Sequence, residues 1–268
     1  LTYGGMLKDE VGGVDGLYGA TGVTLSADGN HAYVTGEADD AVSWYERNAS
    51  TGALTYAGML KDGFNGVDGL DGALSVILSA DGQFIYVTGR DDDSVSWFER
   101  NASSGALSFG GVLKDGIGGV DGLDGAWGLA LSVDGSHLYV TGVDDSAVSW
   151  YERNASTGAL TYGGMLQHVA NVVDGLGIPT GVTLSVDGNH AYVGGKFNDT
   201  VSWYERNAST GALTYGGTLQ DAVSLGDPDQ VTLSSDGNHL YVTAFPSNAV
   251  SWYERNASTG ALTYGGML

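Results

Sequence analysis

The sequence predicts an all-β protein built from five copies of a repeat of about 53 residues. Four tryptophans, Trp44, Trp97, Trp150 and Trp203, lie 53 residues apart, and Trp252 follows after 49. Asp-Gly pairs keep the same offsets and begin at Asp28, Asp81, Asp134, Asp187 and Asp236. One register therefore runs through the chain, with a single four-residue deletion before the last copy.

Each copy carries the signals of four short strands. In the first copy we predict strands over residues 22–26, 32–35, 41–47 and 53–56. These segments are rich in Val, Thr, Tyr and Trp, which favour a pleated surface. Asp-Gly and Ser-Thr-Gly segments between them are typical of tight turns, and helical periodicity is absent.

The third predicted strand places large side chains on both faces of its sheet. Val42 and Trp44 point to one face, whereas Ser43 and Tyr45 point to the other, because strand side chains alternate. A sheet of this kind has to be covered on both sides. Repeated four-stranded antiparallel sheets packed face to face form a β-propeller, in which each sheet is a blade.

A short motif in each copy resembles a known repeat family. Tyr-Val-Thr-Gly occurs at residues 33–36, 86–89 and 139–142 after Ser-x-Asp-Gly, with weaker matches at 192–195 and 241–244. These segments resemble the Tyr-Val-Thr-Asn (YVTN) repeats of lactonase-like and bacterial surface propellers. The resemblance implies a β-propeller fold, but the family is functionally mixed and implies little about activity.

We predict a single domain over residues 1–268. Its repeats span residues 8–60, 61–113, 114–166, 167–219 and 220–268, and residues 1–7 are an extra copy of the outer strand. We expect five blades, and part of a six- or seven-bladed ring is the alternative. Either residues 1–7 or residues 262–268 complete the last blade, and the surplus strand is then available to pair with a neighbouring molecule.

Composition and charge exclude several classes of function. The chain is 42% hydrophobic, has no cysteine and carries a formal net charge of −22. Nucleic acid and anionic membranes repel such a protein, and no 18-residue apolar run exists that would insert into a membrane. The chain begins at Leu1 without a signal-peptide pattern, which indicates a segment processed from a longer product. We expect an extracellular or cell-surface protein of a bacterium or archaeon.

Aspartates are concentrated in the connections at one end of the predicted blades. Calcium takes six to eight oxygen ligands, which Asp carboxylates and the carbonyls of flexible Gly turns supply. An acidic, solubilising surface with Asp as turn former is the alternative. The candidate calcium ligands are Asp62, Asp68, Asp71, Asp91, Asp92, Asp115, Asp121, Asp124, Asp144 and Asp145.

Two residues depart from the repeat and are candidates for ligand contact. Trp127 begins a first strand near the acidic end, and His168 is the only histidine outside the recurrent position after the Asp-Gly turn. No Ser-His-Asp, phosphate-loop or zinc pattern is present.

The expected function is non-catalytic, because most polar residues are copied five times whereas catalysis needs a unique constellation. We expect a binding, adhesion or assembly module with an acidic, calcium-binding face. Its partner is a protein, a glycan, or a second copy joined through the terminal strands. A lactonase-like hydrolase and a multivalent glycan-binding lectin are the alternatives.

Overall fold

A computed structural model describes residues 4–170, 172–220, 225–245 and 247–268. In these residues the chain forms 20 strands, arranged as five four-stranded antiparallel sheets in which strand order follows chain order. A 3-10 helix at Glu37–Asp39 is the only helical segment in the described part of the chain. No described helix is long and apolar enough to cross a lipid bilayer. The predicted all-β class and four strands per repeat are confirmed.

The sheets are numbered here in chain order. Sheet 1 contains β1 (Ala20–Leu25), β2 (His31–Gly36), β3 (Ala41–Arg47) and β4 (Leu54–Lys61). Sheet 2 contains β5 (Ala73–Leu78), β6 (Phe84–Gly89), β7 (Ser94–Arg100) and β8 (Leu107–Lys114). Sheet 3 contains β9 (Ala126–Leu131), β10 (His137–Gly142), β11 (Ala147–Arg153) and β12 (Leu160–Gln167).

Sheet 4 contains β13 (Pro179–Leu184), β14 (His190–Gly195), β15 (Thr200–Arg206) and β16 (Leu213–Gln220). Sheet 5 contains β17 (Pro228–Leu233), β18 (His239–Ala244), β19 (Ala249–Arg255) and β20 (Leu262–Met267). The chain divides into two compact units. The first holds sheets 1 and 2 together with Asn154–Ala159, and the second holds Asp115–Arg153 and Leu160–Leu268, with sheets 3, 4 and 5.

The Ser-x-Asp-Gly motif forms the tight turn between the first two strands of each sheet. In sheet 1, the hydroxyl of Ser26 donates to Asp28 Oδ1 at 2.5 Å, and the same oxygen accepts the backbone N–H of Asn30 at 2.9 Å. The N–H of His31 donates to Ser26 Oγ. Gly29 has a φ of 72°, in the left-handed region that glycine tolerates best. These local bonds explain why the motif recurs at the same place in every repeat.

The fourth strand runs further than the sequence predicts. β4 continues to Lys61, past Gly58, which has a φ of 155° beside a bulge opposite Trp44 and Tyr45. A Cβ at Gly58 would lie 2.5 Å from Cζ2 of Trp44. The glycine therefore lets the indole lie against the outer strand, and the pair recurs in each sheet.

The first unit is held together by an arginine that crosses from sheet 2 to sheet 1. Arg100 Nε donates to the hydroxyl oxygen of Tyr33 at 2.6 Å, and Arg100 Nη2 lies 3.1 Å from Asp28 Oδ2 and 2.8 Å from His31 Nδ1. The Tyr33 hydroxyl in turn donates to the carbonyl oxygen of Gly105 at 3.0 Å. We call this arrangement the arginine junction.

The second unit repeats the arginine junction twice. Sheet 4 supplies Arg206 to sheet 3, and sheet 5 supplies Arg255 to sheet 4. The receiving residues are Tyr139, Asp134 and His137 in sheet 3, and Tyr192, Asp187 and His190 in sheet 4. Burial raises the pKa of Asp134, but hydrogen bonds from Ser132 and Ser136 and the charge of Arg206 outweigh it and lower the pKa to about 2.

Apolar clusters fill the space between neighbouring sheets of each unit. In the first unit, Tyr33, Val42 and Trp44 of sheet 1 pack on the side chains of sheet 2 that include Val87 and Leu107. Equivalent residues form the clusters between sheets 3 and 4 and between sheets 4 and 5. Trp44 is buried, so its indole is part of the core and is not presented to a sugar.

The C-terminal copy of the outer strand completes the last sheet. Leu262–Met267 forms β20 and pairs with β19. Residues 4–7 form no strand, and Leu1–Tyr3, the rest of the predicted extra strand, lie outside the described residues. Of the two segments that could complete the last sheet, the C-terminal copy does so.

Histidines in the arginine junctions make stability depend on pH. Burial, followed by the charge of the adjacent arginine, lowers the pKa of His31, His137 and His190 below the ordinary value of 6.5. The unfolded chain therefore binds more protons below pH 6.5, and we expect the thermal unfolding midpoint to fall as the pH drops from 7.5 to 5.5.

Phe84 occupies the same position in sheet 2, so the triple variant His31→Phe, His137→Phe, His190→Phe is expected to flatten this pH dependence. Loss of each Arg–His hydrogen bond costs about 1 kcal/mol at neutral pH. His239→Phe is the control, because within the described residues no hydrogen bond joins His239 to an arginine. Equal pH slopes in the wild type and the triple variant would contradict the assignment.

Candidate functional site

Three clusters of aspartates recur at the same end of sheets 1, 2 and 3. In each, two aspartates come from the connection before the first strand and one from the connection between the second and third strands. One carboxylate oxygen from each member lies within 4.8 Å of the others. Cluster 1 is Asp9, Asp15 and Asp39; cluster 2 is Asp62, Asp68 and Asp92; cluster 3 is Asp115, Asp121 and Asp145.

The structure brings together six of the ten predicted calcium ligands. The four that lie outside the clusters are Asp71, Asp91, Asp124 and Asp144. Cluster 1 is missing from the sequence prediction, although the 53-residue offset from cluster 2 would have identified it. Whether these oxygens bind a metal stays a prediction.

The carboxylates also organise the glycine-rich connections. In cluster 2, Asp62 Oδ1 accepts the backbone N–H of Leu70 at 3.0 Å, and Asp92 Oδ2 accepts the N–H of Gly69 at 3.0 Å. In cluster 3, Asp115 accepts the N–H of Leu123 at the same distance. These bonds tie the carboxylates to the backbone of the glycine-rich connections.

One position distinguishes cluster 2 from cluster 3. Lys114, at the end of β8, places Nζ 2.8 Å from Asp68 Oδ1 and 2.6 Å from Asp92 Oδ1. The equivalent residue of sheet 3 is Gln167, which donates instead to the backbone carbonyl of Asp145 at 2.9 Å. Cluster 2 therefore contains an ammonium group, whereas cluster 3 has a neutral amide at that position.

The pKa values of the two clusters follow this difference. Burial raises the pKa of Asp92, but the hydrogen bond from Lys114 and backbone N–H groups outweigh it, so the net shift is downward. Burial likewise raises the pKa of Asp145, and there Asp115 and Asp121 raise it further, so the net shift is upward. Negative charge is thus less compensated in cluster 3 than in cluster 2, and a cation has more to gain there.

The fourth repeat replaces the aspartate cluster with different chemistry. His168 and Asp174 occupy the positions of Asp115 and Asp121, and Asn198 occupies that of Asp145. His168 Nδ1 is buried and lies 3.9 Å from Asp174 Oδ1, beyond hydrogen-bond distance. The backbone N–H of His168 donates to Ser146 O at 2.8 Å, which fixes the start of this connection. His168 is therefore the one imidazole placed among the acidic connections.

Trp127, the other predicted contact residue, is the second residue of β9. It is half-buried at the same end of sheet 3 as cluster 3. Its contact with a ligand stays a prediction.

A cavity opens beside cluster 1 in the first unit. Its volume is about 410 Å³, and exposed Phe64 gives it an apolar wall next to the carboxylate of Asp15. The lining residues are Asp15, Met59, Leu60, Lys61, Phe64 and Asn65.

Comparison with known proteins identifies a family. The model of the family described as "Lactonase, 7-bladed beta-propeller" matches residues 17–173 and 124–266, which together cover most of the chain. No curated protein matches the sequence.

Several solved structures share the fold. A protein from Lactobacillus plantarum is 21% identical with a TM-score of 0.77, over 92% of this chain and 70% of its own. The periplasmic gluconolactonase of Pseudomonas aeruginosa is 18% identical with a TM-score of 0.72, over 93% and 70%. A putative 6-phosphogluconolactonase from Bacteroides uniformis is 17% identical with a TM-score of 0.65, over 91% and 83%.

The family match overturns the main functional prediction. A non-catalytic binding, adhesion or assembly module is wrong as the first interpretation, and the lactonase-like alternative is favoured. The prediction gave most weight to the polar residues that recur in every repeat, whereas His168, named as a ligand-contact candidate, lies where repeats 1 to 3 have aspartate.

Exchange of the residues at the ends of β8 and β12 tests the charge analysis. In Lys114→Gln we expect the pKa of Asp92 to rise, since the ammonium that stabilises its carboxylate is removed. In Gln167→Lys we expect the pKa of Asp145 to fall for the converse reason. Carbon-13 NMR titration of the aspartate carboxyls measures both shifts, and an Asp92 pKa unchanged by Lys114→Gln would contradict the role of Lys114.

Proposed function

The chain belongs to the lactonase family of seven-bladed β-propellers, and we propose that it hydrolyses a lactone to the corresponding hydroxy acid, with His168 as the general base. The single observation that supports this function is the family match over most of the chain. The position of His168 supports the choice of site.

Hydrolysis of a lactone needs a group that accepts a proton from the attacking water and returns it to the leaving alkoxide. An imidazole nitrogen of His168 takes a proton from water as the water oxygen attacks the lactone carbonyl carbon. The ring C–O bond then breaks, and the same imidazole returns the proton to the departing alkoxide. The carboxylate of Asp174, 3.9 Å from Nδ1, stabilises the imidazolium that forms through its negative charge.

The surrounding charge selects the substrate class. The protein carries a formal net charge of −22, and cluster 3 lies in the same unit as His168. A phosphorylated lactone is repelled by such a surface, whereas an uncharged sugar lactone is not. We therefore propose a neutral lactone as substrate.

The acidic clusters are proposed to bind calcium, and cluster 3 to bind it more tightly than cluster 2. Its three carboxylates supply oxygens of the type calcium prefers, and waters or loop carbonyls complete the coordination. In cluster 2, Lys114 already neutralises part of the charge that a cation would meet. A bound calcium would add positive charge at this end of the sheets.

A location outside the cytoplasm is proposed for the protein. The periplasmic gluconolactonase among the similar structures is compatible with this location. Calcium binding at the acidic clusters is compatible with it as well, because extracellular calcium concentrations are high enough to occupy such sites.

Hydrolysis of an uncharged δ-lactone, followed by acid release at constant pH, tests the proposed reaction. We expect turnover by the wild type, and a fall in kcat of about 100-fold or more in His168→Gln, since a general base contributes that much. Glu152→Gln, an exposed carboxylate at the opposite end of sheet 3, is the control and is expected to keep full activity.

The phosphorylated lactone is expected to show a higher KM at low ionic strength, and salt is expected to reduce the difference by screening. Absence of turnover on any lactone would contradict the proposed function. Unchanged activity in His168→Gln would show that His168 is not the general base.

Thermal unfolding with and without millimolar calcium tests the cation site. A ligand bound only by the native state raises the unfolding midpoint. We expect a rise in the wild type that Asp145→Asn largely removes, while Asp92→Asn leaves most of it because cluster 2 already contains Lys114. No rise in the wild type, or an equal loss in both variants, contradicts the assignment.

A further inference from the structure

The fourth repeat changes the third position of the aspartate cluster as well as the first. Asn198 lies in the connection between β14 and β15, at a position where repeats 1 to 3 have aspartate. Those aspartates are Asp39, Asp92 and Asp145. The three cluster positions of the fourth repeat therefore hold an imidazole, a carboxylate and a carboxamide. Unlike a carboxylate, a carboxamide donates hydrogen bonds.

The amide oxygen of Asn198 faces the backbone of the connection before β13. Oδ1 lies 3.0 Å from the position that a Cβ on Gly177 would take. In sheet 3 the residue equivalent to Gly177 is Asp124, whose backbone N–H donates to Asp145 Oδ2 at 3.0 Å. The side chain of Asn198 is thus turned in the same direction as that of Asp145, with one terminal atom against this connection.

The amide nitrogen of Asn198 takes the place of the carboxylate oxygen that faces the cluster in other sheets. In sheet 2 that oxygen is Asp92 Oδ1, which a lysine ammonium joins to Asp68 Oδ1. The counterpart of Asp68 in the fourth repeat is Asp174, and its carboxylate lies 3.9 Å from His168 Nδ1. Nδ2 of Asn198 is therefore on the side of the imidazole.

The N–H groups of the Asn198 amide are available to a ligand. Among the described residues no hydrogen bond engages this side chain, and Gln220 Nε2 donates to the backbone carbonyl of Asn198 at 3.0 Å. The residue is half-buried, so a hydrogen bond formed there is weakened less by water than one at an open surface. The fourth repeat thus holds an unused donor beside a proton acceptor.

We propose that Nδ2 of Asn198 donates a hydrogen bond to the carbonyl oxygen of the bound lactone, an inference that rests on the proposed function. As the water oxygen attacks the carbonyl carbon, the π electrons of the C=O bond move onto this oxygen, which becomes an oxyanion. The amide binds the oxyanion more strongly than the neutral carbonyl, because a charged acceptor makes a stronger hydrogen bond. When the ring C–O bond breaks, the C=O bond re-forms and the departing alkoxide takes the proton from His168.

A carboxylate at this position would oppose the same step in repeats 1 to 3. Aspartate offers lone pairs and a negative charge, which repel a developing oxyanion. Repeats 1 to 3 have aspartate at both the first and the third cluster position. In the fourth repeat a proton acceptor and a hydrogen-bond donor replace these two carboxylates together.

Steady-state kinetics on the uncharged δ-lactone test the role of Asn198. We expect Asn198→Ala to lower kcat by about 100-fold or more with little change in KM, because the donor acts mainly on the transition state. Asn198→Asp is expected to lose at least as much, since it removes the donor and adds a negative charge with almost no change in size. The control is Asn189→Asp, the same change in the exposed turn at the opposite end of sheet 4, which is expected to keep full activity.

A thionolactone, in which sulfur replaces the carbonyl oxygen, separates a direct contact from a structural effect. Sulfur accepts hydrogen bonds weakly, so the wild type is expected to lose much of the contribution of the amide on this substrate. The ratio of kcat/KM for the lactone over the thionolactone is expected to be at least about tenfold larger in the wild type than in Asn198→Ala. Equal ratios overturn the proposal.

The outcomes separate the role of Asn198 from the function on which it rests. No turnover by the wild type contradicts both. Activity that is lost in His168→Gln but kept in Asn198→Ala overturns only the role of Asn198 and leaves the hydrolase in place. Circular dichroism checks that each variant is folded. If Asn198→Ala does not fold, Asn198→Asp, which keeps the volume of the side chain, gives the same comparison on both substrates.

Discussion

The structure depends on a buried arginine that joins one sheet to the next. Arg100, Arg206 and Arg255 are almost fully buried, and each binds a tyrosine, an aspartate and a histidine of the preceding sheet. A buried guanidinium is costly unless all its N–H groups find partners, and its planar fork suits this set of acceptors. The arginine junction therefore fixes the register between sheets, while the apolar clusters supply most of the favourable burial free energy.

Scaffold and site occupy opposite ends of each sheet. The Ser-x-Asp-Gly turn and the arginine junction lie at one end, where the repeats are nearly identical. The other end carries the aspartate clusters, and there the copies diverge: Lys114 becomes Gln167, and Asp115 becomes His168. The arginine junctions do not involve this end, so its residues differ between copies while the junctions stay the same.

The sequence predicted the strands and the acidic end well, because both follow from local chemistry. Asp28 forms the turn that its Ser-x-Asp-Gly motif indicates. β4 runs past residue 56, the predicted end of the strand, and Gly58 accommodates the indole of Trp44 inside it. The role of Lys114 and the placement of His168 beside Asp174 were not predictable, because these contacts join residues that the local pattern does not relate.

By itself, the sequence determined the repeat, the four strands per copy, the class of fold and the sign of the surface charge, since each is set by periodicity and composition. Only the tertiary structure decided which aspartates cluster and which terminal segment completes sheet 5. The physical reason is that identical repeats have identical local preferences. Their burial and partners differ only through what packs against them.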